Sequence, residues 1–586
     1  LKKALAIQID IGDRNGEATS YVNLGALFIS LSKYDKAREY LKKALAIQID
    51  IGDRNGEATS YVNLGIVFRS LGKYDKAREY LEKALAIQIE IGNRNGEAKS
   101  YNNLRALFIS RNKYDKAREY IEKALAIQIE IGDRIGEAAS CGNLGTLFKS
   151  LGKYYKAQEY LEKALAIKIE IGDRNGEATI YRNLGTLFRS LGENGKAQEY
   201  LEKALAIKIE IGDRDGEATG YGNLGTLFRS LSEYGKAQEY LEKALAIQIE
   251  IGDRNGEATS YGTLGTVFLS IGKYSKAHEY LEKALAIQTE IGDRNGEATS
   301  CGHLGIVFEL LGKYDGARKY LEKALTMKIE IGEREGEATN YGNLGRLFQL
   351  LGEHDKAREY LEKALRIYRG IGGRKGEADT YGNLTSFFLS LGQYRKAEDF
   401  LERAVAIWRA IGDRGGQAIH FGNLGRISCK RGEYDNALEY HKKALEIHME
   451  IGSKEGVVPS YANIGRLCFQ SLGKYDMAEE YLKKALLLSR DIGHTLHEFN
   501  CLLDITVLKV SQNDLKEAFS FLFQTIEIFD TLRGFLKDND QFKTSLLEEH
   551  GTFPYELLSS LLSSKAKPQD ALYVEELRRA DRKSVV

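Results

Sequence analysis

The sequence predicts an all-α solenoid in which antiparallel helix pairs stack one upon the next, and three observations predict it. A repeat of 40 residues runs along the chain, because the alanine column that begins at Ala37 returns every fortieth residue to Ala437. Within each repeat the apolar residues follow the three-and-four spacing of an amphipathic helix. Proline occurs only three times in 586 residues, at Pro459, Pro554 and Pro568, so helices can run through nearly the whole chain.

Each repeat begins with a helix whose start is marked in the sequence. Gly12 opens a glycine column that recurs every fortieth residue to Gly452, and Asp13 follows it. Glycine favours the left-handed conformation that ends a helix, and aspartate caps the helix that comes next. At roughly 100° per residue this first helix has two faces. The core face is predicted to hold Tyr21, Leu24, Gly25, Phe28 and Leu31, and the presented face Thr19, Asn23, Ala26 and Ser30.

The second helix of the repeat is predicted from another apolar stripe. No proline closes this helix, so we expect it to run on to the next glycine, as from Ile249 to Gly252. Because one helix pair cannot bury its own apolar face, the copies must stack on their neighbours. The stripe consists of Tyr34, Ala37, Leu41, Ala44, Leu45 and Ile49.

The repeat divides the chain into four parts. Residues 1–12 are predicted to be a partial second helix of a truncated repeat, and residues 13–493 to form twelve 40-residue helix pairs, the last displaced by one extra residue near Ser471. A divergent helix pair is predicted at 494–534 and a helical C-terminal segment at 535–586. The chain begins within a repeat and without Met, so we expect it to be a piece of a longer protein.

Composition argues against several classes of function. The chain has 84 Lys and Arg against 84 Asp and Glu, so no net charge attracts it to nucleic acid or to an acidic membrane surface. No apolar stretch approaches the roughly 18 residues of a transmembrane helix. The five cysteines are scattered, which indicates free thiols in a reducing compartment. We therefore expect a cytoplasmic, monomeric protein that binds neither nucleic acid nor membrane.

One set of residues recurs in nearly every repeat, as Tyr221-x2-Leu224-Gly225-x2-Phe228 followed by Ala237-x3-Leu241. This pattern resembles the tetratricopeptide repeat, with Tyr in place of that family's Trp. The resemblance implies a right-handed superhelix whose inner surface is formed by the first helix of each pair. It also implies a scaffold that binds extended peptide segments of partner proteins in a concave groove.

The repeat departs from that family in its length, which is 40 residues rather than about 34. Long repeats of this kind resemble those of the Pins and LGN adaptors and of the family of tetratricopeptide repeat protein 28. Beyond Gly534, the segment FLKDNDQFKTSLLEEHGTFPYELLSSLL resembles the one that precedes a caspase-like CHAT domain in the latter family. The likeness implies a cytoskeletal setting. It also leaves a second hypothesis, that the chain is the sensing arm of a CHAT peptidase-like protein whose catalytic part is absent from this chain.

The presented face carries one polar residue type at a single recurring position, that of Asn23. Asn occupies this position in ten of the twelve copies, and Thr263 and His303 occupy it in the other two. An amide at each step can donate to and accept from the backbone of an extended peptide. Alternatively, these amides bond only to a neighbouring helix or were copied with a duplicated repeat. The predicted peptide-binding ladder is Asn63, Asn103, Asn143, Asn183, Asn223, Asn343, Asn383, Asn423 and Asn463.

Two further positions of the presented face, those of Ile29 and Ala26, vary between otherwise similar copies. Such variation is expected of a surface that selects its partner, although exposed positions also drift to solvated charges. Arginine binds carboxylates and phosphates through a fork of hydrogen bonds, so we expect acidic or phosphorylated partner segments. The predicted specificity residues are Arg69, Lys149, Arg189, Arg229, Arg346, Arg426 and Arg466.

The sequence offers no convincing catalytic or cofactor site. His494, His497 and Cys501 fall on one helical face and could hold a metal with a fourth ligand from elsewhere, but ordinary helix residues are the simpler interpretation. No nucleophile has a base and an orienting third group in view. We therefore predict a protein that is not an enzyme and that needs no cofactor or metal.

Overall fold

A computed structural model describes residues 1–31, 33–111, 113–534, 557–558 and 560–561. Within these ranges the regular structure is entirely helical, which confirms the predicted all-α class. The helices are, in chain order, α1 Lys2–Asp10, α2 Arg14–Ser30, α3 Tyr34–Asp50, α4 Arg54–Ser70, α5 Tyr74–Glu90, α6 Arg94–Ile109, α7 Tyr114–Glu130, α8 Arg134–Ser150, α9 Tyr154–Glu170, α10 Arg174–Ser190, α11 Asn194–Glu210, α12 Arg214–Ser230, α13 Tyr234–Ile251, α14 Arg254–Ser270, α15 Tyr274–Ile291, α16 Arg294–Leu310, α17 Tyr314–Glu330, α18 Arg334–Leu350, α19 His354–Ile371, α20 Arg374–Ser390, α21 Tyr394–Ile411, α22 Arg414–Arg431, α23 Tyr434–Glu450, α24 Lys454–Gln470, α25 Tyr475–Asp491, α26 Thr495–Ser511 and α27 Leu515–Gly534.

The helices form consecutive antiparallel pairs, as predicted, with an even-numbered first helix and an odd-numbered second helix. The turns between pairs follow the sequence signals. The Asp53 carboxylate accepts a hydrogen bond of 2.9 Å from the backbone N–H of Gly56 and so caps α4. Gly252 ends α13 with a φ of 70°, a conformation that residues with a side chain seldom adopt. The second helix therefore runs to this glycine, as the absence of proline predicts.

The two helices of a pair approach closely because one of them carries glycine at the contact. A Cβ atom placed on Gly225 would lie 2.6 Å from Leu241 Cγ, well inside van der Waals contact. Leu224 and Leu241 are buried on either side of this contact. Phe228 stacks on Tyr240 with ring centroids 5.3 Å apart. The pair is thus held by apolar contacts that recur in most copies.

The end of the second helix differs from the sequence prediction. The apolar spacing predicts that Ile49 is buried, but Ile49 is 54% exposed, whereas its neighbour Gln48 is only 3% exposed. The Gln48 side chain lies against Gly56 in the first helix of the next pair and accepts a 2.6 Å hydrogen bond from the Ser60 hydroxyl. Because this interface offers a hydroxyl donor, an amide is buried there in place of an alkyl group.

The chain divides into two compact bodies, an N-terminal body Leu1–Leu187 and a C-terminal body Phe188–Val586. Within each body successive first helices contact one another, as α2 does α4 and α12 does α14. Among the described helices, successive second helices make isolated contacts at most. The first-helix side of each stack is therefore the more closely packed side.

The C-terminal body includes the divergent pair predicted at 494–534. Here α26 packs on α27, with Phe499 and Phe529 buried and their ring centroids 5.8 Å apart. The predicted helical segment at 535–586 lies outside the described residues except for Leu557, Leu558, Ser560 and Leu561, which are helical.

Within the C-terminal body, repeats far apart in sequence also touch. The Asn194 amide donates a 3.2 Å hydrogen bond to the Ile451 carbonyl. The backbone N–H of Glu455 donates to the Ser232 hydroxyl at 3.1 Å, and the Tyr234 hydroxyl lies 3.0 Å from the Glu455 carboxylate. Ser232 holds a φ of 58°, at a position where most copies have glycine. Two residues that depart from the common repeat, Asn194 and Ser232, therefore take part in the contact.

The glycine contact predicts a position-specific effect on α12. Replacing Gly225 with Val forces a branched side chain against Leu241 and should destabilise the α12–α13 pair by about 1–3 kcal/mol. Local amide hydrogen exchange in α12 and α13 measures this, because repeat arrays open locally. Gly222→Val on the same helix is the control, since a Cβ there meets nothing within 4 Å. Equal protection in the two variants would contradict the close-contact explanation.

The long-range contact predicts that Tyr234→Phe loosens the start of α24. The Tyr234 side chain is 5% exposed, so loss of its hydrogen bond to a carboxylate should cost about 1.5 kcal/mol. Amides 455–458 should then exchange about tenfold faster. Tyr154→Phe, at the equivalent position of an earlier copy, should leave those amides unchanged. If Tyr234→Phe also leaves them unchanged, this contact does not hold the two repeats together.

Candidate functional site

The predicted asparagine ladder lies along the first helices, on the more closely packed side of each stack. Most of its side chains are half-buried; Asn383 is exposed and Asn423 is 7% exposed. Each ladder residue precedes a core residue, as Asn223 on α12 precedes the buried Leu224. The helix therefore anchors the ladder from its opposite face. Most ladder side chains remain partly accessible, whereas the Asn223 Nδ2 atom and the Asn423 side chain are buried.

Few ladder amides are engaged within the chain. Asn103 donates to the Lys99 carbonyl of its own helix at 3.0 Å. Asn423 and Asn463 accept hydrogen bonds from Arg426 and Arg466 of their own helices. Among the described side chains, the remaining six ladder amides have no hydrogen-bond partner, and none of the nine bonds to a neighbouring helix: Asn63, Asn143, Asn183, Asn223, Asn343 and Asn383.

Ladder residues line concave sites in both bodies. In the N-terminal body Asn63 and Asn103 line a cavity of 520 Å³ between α4 and α6, together with five other amide side chains, Asn55, Gln88, Asn93, Asn95 and Asn102. In the C-terminal body Asn383 and Asn423 line a second cavity, of 470 Å³, beside Trp408. These cavities are rich in groups that can both donate and accept hydrogen bonds.

The two variable positions meet each other across neighbouring pairs. Lys149 donates a 2.9 Å hydrogen bond to the Thr186 hydroxyl, and Glu309 forms an ion pair of 3.0 Å with Arg346. In both cases the Ile29 position of one copy contacts the Ala26 position of the next. The sequence placed these residues on one face but did not reveal that they pair.

Arg346, one of the predicted specificity residues, is therefore neutralised by Glu309 within the protein. Its guanidinium also donates to Glu309 Oε2 at 3.3 Å, so both carboxylate oxygens are engaged. The Glu309 carboxylate is 5% exposed, and its burial raises its pKa while Arg346 opposes that rise. The pair is a charge interaction within the protein.

Two other basic candidates, Arg189 and Arg229, carry charge that no acid offsets among the described residues. Among the described residues neither Arg189 nor Arg229 has an acidic partner, and the Arg229 Nε is buried without a hydrogen bond. Burial lowers the pKa of Arg189, and the positive charge of Arg229 lowers it further. In the N-terminal body burial and then Arg69 lower the pKa of Arg105 in the same way. These sites would gain from a bound anion.

Arg426 and Arg466 line a third cavity, of 570 Å³, together with Asn463. It lies in the C-terminal body, between the ends of α20, α22 and α24. Sequence reasoning selected these three residues separately, and the structure brings them together. Sequence reasoning did not identify His441 and Lys430, which line the same cavity and also depart from the common repeat.

The remaining candidates do not assemble into a reaction centre. His494 and His497 lie with ring centroids 3.9 Å apart, but within the described residues no group of three potential ligands could hold a metal ion. Burial raises the pKa of Cys501 to about 12, which disfavours the thiolate needed for nucleophilic attack. Trp408 is buried, with its indole N–H 3.4 Å from the Asp379 carboxylate. No helix in the described ranges is long and apolar enough to span a membrane.

The pattern of the repeat is that of a known family. A tetratricopeptide repeat family model matches residues 1–50, 56–130, 134–210, 216–290, 279–330, 296–370, 336–410, 376–450 and 416–486. The chain belongs to the tetratricopeptide repeat family. Its tetratricopeptide repeats account for the paired helices. No match was found among curated proteins.

Solved structures with similar folds share little sequence with the chain. BtubC from P. vanneervenii is 24% identical with a TM-score of 0.32, over 38% of this chain and 92% of that one. A Rap protein complexed with competence and sporulation factor is 17% identical with a TM-score of 0.42, over 62% and 99%. Yeast Tom70 is 16% identical with a TM-score of 0.40, over 84% and 100%. These likenesses carry no conclusion about the partners of this chain.

The Glu309–Arg346 pair predicts a pH-dependent effect of Arg346→Gln. Without the guanidinium, Glu309 is left as a buried charge, which should destabilise the α16–α18 region by about 1–3 kcal/mol at neutral pH. The variant raises the folded-state pKa of Glu309 further, so the loss should appear as pH rises through that pKa and vanish in acid, where Glu309 is protonated.

Local amide exchange in α16 and α18 at pH 5 and pH 8 is the measurement. Adding Glu309→Gln should recover most of the lost protection. Arg358→Gln is the control, because its partner Glu362 is 49% exposed and such pairs contribute less than about 1 kcal/mol. A loss of protection that is the same at both pH values would contradict the buried-charge explanation.

Proposed function

We propose that the chain is a protein-interaction scaffold whose first-helix face holds an extended segment of a partner through the asparagine ladder. The observation that carries the proposal is the set of six ladder amides without a partner in the described structure. An extended peptide offers both N–H and C=O groups, and each free amide can satisfy one of each. Recognition of this kind depends on the backbone and tolerates many partner sequences.

The charge on the same face supports an acidic or phosphorylated partner. Arg189 and Arg229 in the C-terminal body have no acidic partner among the residues that the structure describes. Burial and then the positive charge of Arg229 lower the pKa of His303. A carboxylate or phosphate bound there would replace lost hydration with charge-assisted hydrogen bonds. We therefore propose that charge selects among the segments that the ladder can hold.

The setting that we propose is a reducing compartment, with the cytoplasm as the simplest choice. All five cysteines, Cys141, Cys301, Cys429, Cys468 and Cys501, are free, and burial raises the pKa of each of them. A cytoskeletal association and a monomeric state belong to the same proposal.

Selection of peptides from a random phage-displayed library with the whole chain provides the test. For peptides bound by the C-terminal body, changing Asn223, Asn343 and Asn383 together to Ala should weaken the affinity about a hundredfold, at roughly 1 kcal/mol for each lost contact. Thermal unfolding should change little, since surface substitutions usually alter stability by less than about 0.5 kcal/mol.

The matched control changes three amide side chains on second helices, Gln198, Gln238 and Asn436, to Ala. This variant should bind the selected peptides as the parent does. If the ladder variant binds normally but melts much lower, the ladder is structural and the proposed groove is wrong. Binding that survives both triple variants would place the recognition surface elsewhere.

A further inference from the structure

The cavity between the ends of α20, α22 and α24 differs chemically from the rest of the ladder. It has a volume of 570 Å³ and is lined by three cationic side chains, Arg426, Lys430 and Arg466. The hydroxyl-bearing Tyr394 and Tyr434 also line it. No Asp or Glu is present among its described lining residues. This concentration of donors suits an anionic ligand.

The cavity coincides with the loss of large apolar side chains from the repeat. Phenylalanine occupies the Phe28 position in the first ten copies, but Ser428 and Cys468 occupy it in the two copies that border the cavity. In the preceding copy the ring is present and stacks on Phe400 at 5.3 Å. The leucine that normally faces the small residue of the first helix is His441, which lies against Gly425. Smaller and more polar groups thus replace the usual packing.

The arginines of the cavity lack the partner that the repeat geometry gives to Arg346. An arginine at the Ala26 position faces the Ile29 position of the preceding copy, where Arg346 meets Glu309. By the same register Arg426 faces Leu389, and Arg466 faces Cys429; both of these residues also line the cavity. Neither can neutralise a guanidinium.

Only one acid reaches this group of cations from within the described chain. The Asp504 carboxylate lies 3.5 Å from Arg466 Nε, whereas Arg426 donates a 3.3 Å hydrogen bond to the neutral Asn423 amide. Lys430 has no partner among the described residues. The positive charge of these residues acts on His441: burial, and then Arg426 and Arg466, lower the pKa of its imidazole to about 4. The imidazole is therefore neutral at physiological pH and does not compete for an anion.

We propose that this cavity binds the phosphate monoester of a phosphorylated side chain on a partner protein. Two cations without an acidic partner and a third shared with Asp504 match the two negative charges of a phosphate monoester better than the single charge of a carboxylate. The cavity has room for the phosphate and the side chain that bears it. The inference rests on the proposed scaffold function and assigns one specificity site to it.

Calorimetric titration of the whole chain with N-acetyl-O-phosphoserine N-methylamide tests the inference, because this probe has a phosphate and no carboxylate. The probe should bind, and Arg426→Gln or Lys430→Gln should weaken it at least tenfold. Arg431→Gln on the same helix is the matched control, since Arg431 already pairs with Glu398 at 2.6 Å outside the cavity lining. It should bind the probe as the parent does.

A second variant adds a negative charge to the cavity and leaves its basic residues unchanged. Leu389→Glu places a carboxylate opposite Arg426, as Glu309 stands opposite Arg346, and should abolish probe binding while leaving helicity unchanged. Two further probes distinguish the source of the anion. N-acetylaspartate N-methylamide should bind at least tenfold more weakly, and inorganic phosphate should bind more weakly than the phosphoserine probe.

Unchanged binding in Arg426→Gln and Leu389→Glu would overturn the site. Equal binding of the aspartate probe would overturn the preference for phosphate, and tighter binding of inorganic phosphate would overturn a phosphorylated side chain as the ligand. If the probe does not bind while library peptides still depend on the asparagine ladder, this inference fails and the scaffold proposal stands. If the probe binds and the asparagine-ladder variant binds library peptides as the parent does, the phosphate site stands and the proposed peptide-binding groove is wrong.

Discussion

The close contact between a glycine of the first helix and a leucine of the second fixes the geometry of nearly every repeat. At Gly225 and Leu241 the helices are too near for a Cβ to be added without movement, and the same distance recurs at Gly65 and Gly305. This approach sets which face of the first helix is buried. The opposite face, with its amide at the Asn23 position, is presented as a consequence. A solenoid has no single core, so the repeated contact takes the place of one.

A fixed pair geometry also fixes what one repeat offers to the next. Lys149 meets Thr186 and Glu309 meets Arg346 at the same relative positions, although the chemistry of the two contacts differs. Substitutions at these positions therefore act in pairs. Where the facing residue has the opposite charge, as for Arg346, the arginine is neutralised within the protein. Where the facing residue has no charge, as for Arg426, the arginine is available to a ligand.

Periodicity was enough to predict the fold, because the spacing of Leu24, Gly25 and Leu41 encodes local packing that each copy restates. It was less informative at Ile49, which is exposed because the buried position beside it belongs to an amide bonded to the next pair. Contacts between distant copies, such as Tyr234 with Glu455, have no local signature at all. The ladder could be found from its period, but which amides are free could not, since that depends on partners such as Arg466.

Near-identity of the copies makes their exceptions informative. Where a repeat only has to stack, glycine, phenylalanine and leucine recur at their positions; where Ser232 replaces glycine, its hydroxyl accepts a hydrogen bond from a distant repeat. Where His441 replaces leucine and Ser428 replaces phenylalanine, a basic cavity is present. A uniform stack would present the same surface at every step and could not tell one position along a partner from the next. Departures from the repeat supply that distinction, so specificity in this chain is expected where the regular packing is interrupted.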